Sequence, residues 1–335
     1  PGLNIQRSPL CGRDFEYFSE DPILAGRMAA AYVRGIQKNG ISACPKHFAV
    51  NSQELRRMAS DSIVDERTLR EIYLTGFEIA VKEGHPRSIM SSYNLVNGTY
   101  ANENKHLLME ILRGEWGFDG AVITDWGGSN DHALGVKNGS TLEMPAPGGD
   151  SVRELLAAVE SGKISESDID ARLSELLPLV FDTKAALDAA PREFDAAAHH
   201  ALARRAAEES LVLLKNEGSL LPLAAGSKVA VIGDFAKNPR YQGAGSSMVN
   251  STQVDVLLDK LIDSELNVIG YQQGFDRHGK PDAALQKSAC ELATQADTVI
   301  LCMGLDEIAE SEGLDRSNLC LAQNQVDLLQ LSLIH

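Results

Sequence analysis

The sequence has 335 residues, and 31 Lys and Arg against 47 Asp and Glu give it a formal net charge of −16 at pH 7. A chain of this length exceeds what one hydrophobic core usually supports, which predicts two domains. The negative charge argues against nucleic acid or an anionic membrane as a partner, because the phosphate groups of either would repel it. No apolar run approaches the roughly 18 residues that are needed to span a bilayer. With 44% hydrophobic and 23% charged residues, the composition is that of a globular protein.

The cysteines are few and odd in number, and no two of them form a CxxC pair: Cys11, Cys44, Cys290, Cys302 and Cys320. A disulfide framework is therefore not expected, and a reducing, cytoplasmic compartment is favoured. The sequence starts without Met or a signal peptide and ends inside an apolar helical pattern, so both ends look cut from a longer chain. A periplasmic or secreted location therefore stays open, and the composition permits a homo-oligomer.

Helical and strand patterns alternate through the first half of the chain. Helices are predicted over residues 22–38, 65–83, 104–116 and 151–160. Strands are predicted over residues 42–46, 88–92, 121–124 and 142–144. The alternation implies a parallel sheet covered by helices, either a (β/α) barrel or a doubly wound sheet. The strands are too few for a closed barrel, which fits an absent N-terminal part.

The second half is also α/β, and no internal repeat is evident. Helices are predicted over residues 196–214 and 282–294, and strands over residues 228–232, 267–270 and 298–303. The predicted division is a barrel-like domain over 1–181, a linker with a bridging helix over 182–226, and a second α/β domain over 227–335.

Residues with chemical potential follow the predicted strands, where parallel α/β folds bind their ligands. Asp125 follows an apolar strand and precedes a glycine loop, which is typical of a nucleophile and also of a helix or turn cap. The pair Lys46-His47 closes another strand and is either functional or solvent-facing. Arg13 is either a surface charge or a bidentate binder of hydroxyls and carboxylates. Trp126 is either a core residue or a platform on which a sugar stacks.

The second half contributes two glycine-containing segments and an acidic loop. Residues 304–316 hold several carboxylates directly after a buried strand, so they offer either a general acid or a solvated charged loop. Residues 231–235 and 243–247 resemble parts of a dinucleotide-binding turn, but they lack the GxGxxG spacing and a following helix.

Taken together, these motifs resemble glycoside hydrolase family 3 across essentially the whole chain and in the same order. The first half supplies Cys11-Gly-Arg-Asp-Phe-Glu-Tyr-Phe-Ser-Glu-Asp-Pro, Cys44-Pro-Lys-His-Phe, Ser91-Ser-Tyr-Asn, Trp116-Gly-Phe-Asp-Gly-Ala-Val-Ile-Thr-Asp-Trp and Leu142-Glu-Met-Pro. The second half supplies Glu209-Ser-Leu-Val-Leu-Leu-Lys-Asn-Glu-Gly and Ser311-Glu-Gly-Leu-Asp-Arg. The resemblance implies a partial TIM-like (β/α) barrel, without its first strands, followed by an αβα sandwich that lacks its last strands.

The resemblance also implies roles for individual residues. Asp125 would be the catalytic nucleophile and Glu312 the acid/base, with Glu310 as the weaker candidate for the acid/base. The residues around the bound sugar would be Arg13, Lys46, His47, Arg57, Met90, Tyr93, Trp126 and Ser246. No metal and no organic cofactor is implied, and the partner would be a small β-glycoside or oligosaccharide.

The implied activity is that of an exo-acting, retaining β-glucosidase, which needs one ionised and one protonated carboxyl. Arg and Lys beside Asp125 would favour its ionised form, and a loop over an apolar sugar site would favour protonated Glu312. Charged Lys46, His47 and Arg13 would suit sugar hydroxyls. A β-xylosidase on the same scaffold and a non-catalytic sugar-binding fragment stay open. An N-acetylglucosaminidase is disfavoured because residues 48–61 lack a His-Asp dyad.

Overall fold

The computed structural model describes residues 2–189 and 193–332, so parts of the predicted domains and linker (1, 190–192 and 333–335) lie outside the described residues. The described chain divides into two compact units. The first unit contains residues 2–189 together with Gln242–Met248 and Glu307–Leu319. The second contains residues 193–241, Val249–Asp306 and residues 320–332.

The first unit alternates strands and helices. Its strands are β1 (Asp61–Ser62), β2 (Ser88–Met90), β3 (Leu95–Val96), β4 (Thr99–Tyr100) and β5 (Ala121–Ile123). Its α-helices are α1 (Pro22–Gln37), α2 (Glu66–Thr68), α3 (Thr75–Gly84), α4 (His132–Lys137), α5 (Asp150–Glu160) and α6 (Glu166–Asp188). Two π-helices, Leu69–Leu74 and His106–Glu115, and the 3₁₀-helix Ala101–Glu103 complete it.

Parallel extended segments lie side by side in chain order at the centre of the first unit. β2 and β5 pair from Ser88↔Ala121 to Met90↔Ile123. Isolated parallel bridges extend this arrangement on both sides, joining Gly2 with Lys46, Phe48 with Ser91, and Ile123 with Leu142. Because every neighbour is parallel, the carboxyl ends of these segments meet on one side.

Burial of aromatic and branched side chains holds this parallel array against its helices. Phe48 contacts Phe77 and Trp116 edge-on, with ring centroids 5.3 and 5.9 Å apart. Phe77 comes from α3, and it is fully buried together with Leu108 and Ile111 of the second π-helix. A single core therefore fixes the position of residues 45–48, which lead into the predicted site.

The second unit is a three-layered sandwich. Its strands are β6 (Lys228–Ile232), β7 (Asn267–Gln272) and β8 (Thr298–Leu301), which form a parallel sheet in the order β7-β6-β8. Its helices are α7 (Ala196–Glu209), α8 (Asp234–Lys237), α9 (Leu257–Ile262), α10 (Ala283–Ala293) and α11 (Gln323–Ser332), with the 3₁₀-helix Glu217–Ser219.

Successive side chains of β6 point to opposite faces of the sheet, and both faces are buried. Val229 and Val231 pack with Leu258 of α9. Ile232 packs on the other face with Ala289 of α10 and with Leu328. None of the helices within the described ranges combines the length and the apolar character that crossing a membrane demands.

Most of the predicted elements are confirmed, and the exceptions have local causes. Residues 42–46 form only bridges, because Pro45 has no N–H to donate to a ladder. The helix predicted over 196–214 ends at Glu209, and the four residues after its cap, 211–214, are exposed and not helical. The helix α6 continues to Asp188, past residue 182, where the sequence suggested a linker. The predicted domain limits remain predictions.

Candidate active site

Asp125 lies two residues beyond β5, at the carboxyl end of the parallel array, and is 8% exposed. The N–H of Trp126 donates to its Oδ1 at 2.7 Å. His47 Nε2 is 3.5 Å from its Oδ2. The sequence expectation that Arg and Lys adjoin Asp125 is not what the ion pairs of the described residues show, because His47 is the basic group in contact with it. A carboxylate in this position can act as a nucleophile toward a bound molecule.

His47 is almost completely buried, and each of its ring nitrogens faces an oxygen atom. Its Nδ1 is 3.4 Å from the Tyr17 hydroxyl, and its Nε2 faces Asp125. Burial, reinforced by Arg13 and Lys46, lowers the pKa of His47 well below its usual range, so the expected charged imidazole is wrong. A neutral ring with a carboxylate at Nε2 carries its proton there and accepts from Tyr17 at Nδ1.

Arg13 and Lys46 converge on the carboxylate of Glu16. The Nε of Arg13 donates to Glu16 Oε1 at 2.6 Å, and Lys46 Nζ lies 3.6 Å from Glu16 Oε2. Arg13 is fully buried, and within the described residues its Nη1 and Nη2 have no hydrogen-bond partner. Buried guanidinium nitrogens with unused protons can donate to the hydroxyls of a polar ligand.

Arg57, Tyr93 and Trp126 form a second group of contacts, which begins beside Asp125. The guanidinium of Arg57 lies over the Tyr93 ring, 4.7 Å from its centroid. The Tyr93 hydroxyl donates to the Trp126 carbonyl oxygen at 2.9 Å. Burial, followed by the charge of Asp125, raises the pKa of Tyr93, which keeps this hydroxyl protonated. Trp126 is 59% exposed, so its interpretation as a core residue is wrong.

Glu312 comes from the acidic loop predicted after β8, and residues 307–316 of that loop belong to the first unit. Its Oε1 accepts from Arg57 Nη1 at 2.9 Å and lies 3.8 Å from Arg13 Nη1. Its Oε2 accepts from the N–H of Ser246 at 2.7 Å. The loop 242–248, which belongs to the first unit, therefore reaches this carboxylate through the backbone of Ser246, and the role of Ser246 toward a sugar stays a prediction.

The expectation of a protonated Glu312 over an apolar surface is wrong for this arrangement. Burial alone would raise the pKa of Glu312, but the N–H of Ser246 and the guanidiniums of Arg13 and Arg57 lower it to about 2. Glu312 is therefore ionised here. To donate a proton it must first give up part of this set of positive partners.

The structure also separates Glu312 from the weaker candidate, Glu310. Glu310 lies near Asp14, whose pKa burial raises to about 6 with a further contribution from Glu310. Glu312 instead contacts Arg57, the residue stacked on Tyr93. Met90 is the last residue of β2 and is half-buried, on the same side of the array as Asp125.

Comparison with known proteins places this chain. Residues 1–179 match the glycosyl hydrolase family 3 N terminal domain, and residues 211–332 match the glycosyl hydrolase family 3 C-terminal domain. The chain belongs to glycosyl hydrolase family 3. The two matched regions carry Asp125 and Glu312, respectively.

Several family 3 proteins are similar to this chain over nearly its whole length. A thermostable beta-glucosidase B of Acetivibrio thermocellus is 44% identical over 98% of this chain. An exo-alpha-(1->6)-L-arabinopyranosidase of Bifidobacterium breve is 43% identical over 98%. In each case the chain spans 44% of the relative's own length.

A solved family 3 structure has the same fold. The beta-glucosidase of Bifidobacterium adolescentis superposes with a TM-score of 0.92 at 42% identity, over 99% of this chain and 49% of the other. The predicted fold class, a partial TIM-like barrel followed by an αβα sandwich, is confirmed.

Sequence reasoning missed three carboxylates that organise this family 3 site. Glu16 pairs with Arg13 and Lys46. Glu54 is 2% exposed and accepts from Arg57 Nη1 at 2.8 Å. Asp315 accepts hydrogen bonds from the backbone N–H groups of Gly12 and Leu55, which lie 303 and 260 residues earlier in the chain. The i,i+3 spacing of the Glu54–Arg57 pair was visible in the sequence, and Asp315 lies inside a motif that was recognised for Glu312.

Proposed function

We propose that this chain carries the active site of an exo-acting, retaining β-glucosidase that releases terminal non-reducing β-D-glucosyl residues by double displacement. Asp125 is the nucleophile and Glu312 the acid/base. The beta-glucosidase of Acetivibrio thermocellus, 44% identical over nearly the whole chain, supports this assignment. The partner is a small β-glycoside, and the cytoplasmic location predicted from the cysteine content stays a prediction.

The observation that carries the proposal is a continuous series of contacts from one carboxylate to the other. Asp125 adjoins the Trp126 N–H, the Trp126 carbonyl accepts from Tyr93, and Tyr93 stacks on Arg57. Arg57 then donates to Glu312. Glycoside hydrolysis requires two carboxyl groups, one on each side of the scissile bond, and this series of contacts joins Asp125 to Glu312.

In the first step, an oxygen of Asp125 attacks the anomeric carbon while Glu312 protonates the glycosidic oxygen, and the aglycone leaves with that proton. Glu312 is ionised when Arg57 and Arg13 hold it. A sugar hydroxyl that accepts from Arg57 in its place raises the pKa of Glu312 and allows it to take up the proton. Neutral His47 keeps its N–H toward Asp125 and so supports its negative charge.

In the second step, the ionised Glu312 removes a proton from water, and the resulting hydroxide attacks the glycosyl–Asp125 ester. The bond between the anomeric carbon and Asp125 breaks, the carboxylate is restored and Glu312 is protonated again. Lys46 and Arg13, oriented by Glu16, hold the ring hydroxyls through both steps.

Hydrolysis of an aryl β-glucoside by the full chain and by Asp125→Asn tests the nucleophile. We expect kcat/KM to fall by about 10³-fold or more, because the variant cannot form the ester. The matched control is Asp119→Asn, which changes an exposed aspartate just before β5 and should retain full activity. Equal rates for the Asp125 variant and the unaltered chain would refute the nucleophile.

Azide rescue tests the acid/base. Glu312→Ala should turn over a 2,4-dinitrophenyl glucoside slowly and be accelerated by azide, which replaces water without needing a general base. Glu310→Ala should need no rescue. Rescue at residue 310 with none at residue 312 would reverse the assignment.

Specificity for the sugar is a separate measurement. The arabinopyranosidase of Bifidobacterium breve, 43% identical to this chain, makes α-L-arabinopyranosides the second candidate substrates. Aryl β-D-glucoside, β-D-xyloside and α-L-arabinopyranoside should be compared, with the glucoside expected to have the highest kcat/KM. Calorimetric binding of glucose without turnover of any of the three would indicate a sugar-binding protein instead.

A further inference from the structure

The carboxylate of Asp315 binds three backbone N–H groups in other parts of the first unit. Its Oδ1 accepts from Gly12 at 3.1 Å, and its Oδ2 accepts from Leu55 at 2.8 Å. Glu54 donates its N–H to both oxygens, at 3.0 Å each. These donors lie 260 to 303 residues earlier in the chain. One anionic side chain thus joins the loop of residues 311–316 to the two segments that carry Arg13 and Arg57.

Further contacts of the same loop end on the same two segments. The N–H of Gly313 donates to Glu54 Oε2 at 2.8 Å, and the N–H of Arg316 donates to the Leu10 carbonyl at 2.7 Å. At Gly12 the approach is so close that a Cβ would lie 1.6 Å from the Leu314 carbonyl oxygen. The loop of residues 311–316 therefore packs closely against the segments around Gly12 and Glu54.

Glu312 and Asp315 share one turn, since the N–H of Leu314 donates to the Ser311 carbonyl at 3.4 Å. Motion of the Asp315 end of such a turn is passed to the Glu312 side chain. A displacement of about 1 Å can cost on the order of 10²-fold in rate when a reacting group must be aligned.

We propose that Asp315 is a positioning residue for the acid/base: it anchors the turn of residues 311–316 so that Glu312 faces the leaving group. This inference rests on the proposed function. The carboxylate of Asp315 is engaged by three backbone N–H groups, so it acts through the backbone of its own turn. Its loss should therefore affect proton donation more than sugar binding or nucleophilic attack.

Leaving-group dependence in Asp315→Asn is the test. The amide keeps the size of the side chain but turns an NH₂ toward one of the backbone donors, so one end of the anchor is lost. We expect kcat/KM to fall by roughly 10²-fold for a phenyl glucoside, whose departure needs an acid. For a 2,4-dinitrophenyl glucoside, which leaves unaided, the fall should stay below about 5-fold. Asp263→Asn, an exposed aspartate at the end of α9, is the matched control and should change neither rate.

Asp315→Glu keeps the charge and covers the case in which Asp315→Asn does not fold. It should show an intermediate difference between the two substrates, because a longer side chain retains some of the donors while shifting the turn. Equal losses on both glucosides, with unchanged circular dichroism, would assign Asp315 a purely structural role and overturn the proposal. Unchanged rates on both would overturn it as well.

Amide hydrogen exchange separates failure of this inference from failure of the proposed function. In Asp315→Asn, the amide that now faces the NH₂ group, Gly12 or Leu55, should exchange faster than in the unaltered chain, because it loses its acceptor. Unchanged exchange refutes the anchor whatever the activity. If exchange is faster in Asp315→Asn but the unaltered chain hydrolyses no glycoside, the proposed function is refuted, and with it the catalytic purpose of the anchor.

Discussion

Arg57 connects two carboxylates through a single nitrogen. Its Nη1 lies 2.8 Å from Glu54 Oε2 and 2.9 Å from Glu312 Oε1. Burial raises the pKa of Glu54, whereas the guanidiniums and the Ser246 N–H overcome burial at Glu312 and lower its pKa. Similar side chains on one arginine thus differ in proton affinity, which is how a site assigns separate tasks to its carboxyls.

The low pKa of Glu312 predicts how stability depends on pH. A carboxyl whose pKa falls from 4.5 to about 2 on folding stabilises the folded state above pH 4.5, and this contribution disappears as the pH falls toward 2. Glu312→Gln should therefore lower the free energy of unfolding at pH 7 by up to about 3 kcal/mol. Urea unfolding at pH 7 and pH 3 should show this difference shrinking at the lower pH. A pH-independent difference would contradict the ion-pair origin.

Residue types next to strand ends made part of the site predictable. Asp125 and His47 lie at the ends of predicted strands, so local sequence placed both of them near the site. The charge of His47 and the ionisation of Glu312 could not be predicted, because both depend on groups that are distant in sequence. Arg13 and Arg57 reach Glu312 across roughly 300 and 255 residues, a proximity that only the fold creates.

The turn of residues 311–316 and the segment around Gly12 pack as matched elements, so space at Gly12 is decisive. In Gly12→Ala the new Cβ would overlap the carbonyl oxygens of Leu314 and Ser311, at 1.6 and 2.6 Å. Backbone atoms cannot swing away as side chains do, so the turn must move. We expect a loss of stability of about 1–3 kcal/mol, measured by urea unfolding, and the same selective loss on phenyl glucoside as in Asp315→Asn.

Gly35 supplies the control for that substitution. It lies exposed inside α1, and a Cβ there would meet nothing within 4 Å. Gly35→Ala should therefore leave activity unchanged and stabilise the helix by up to about 1 kcal/mol. A loss of activity in Gly35→Ala, or none in Gly12→Ala, would contradict the close fit.

At the scale of the whole molecule, each unit has its own hydrophobic core. In the first unit, Phe77 is fully buried and its ring faces Phe48, which in turn contacts Trp116. Phe77→Ala should lower the free energy of unfolding by about 3–5 kcal/mol, followed by tryptophan fluorescence in urea. Phe194→Ala removes a ring that is 71% exposed and should cost less than about 1 kcal/mol. Equal costs would mean that the core is not where the structure places it.

The excess of acidic residues determines how the solubility of the chain depends on pH. Its net charge is −16 at pH 7 and its sequence isoelectric point is about 4.9. Mutual repulsion between molecules vanishes near that pH, so solubility should pass through a minimum at about pH 5. Light scattering between pH 4 and pH 8 measures it, and a minimum near neutrality would contradict the prediction.

The position of the Glu312 loop late in the chain has a consequence for the order in which the residues of the candidate site are made during synthesis. Asp125 and His47 are translated and can pack within the first 189 residues of the chain. Two later segments also belong to the first unit. Gln242–Met248 is translated only after β6, and Glu307–Leu319 only after β8. A nascent chain therefore carries Asp125, the proposed nucleophile, long before Glu312, the proposed acid. On the proposed assignment, hydrolysis of glycosides whose leaving group needs protonation can begin only once residues 307–319 have been made.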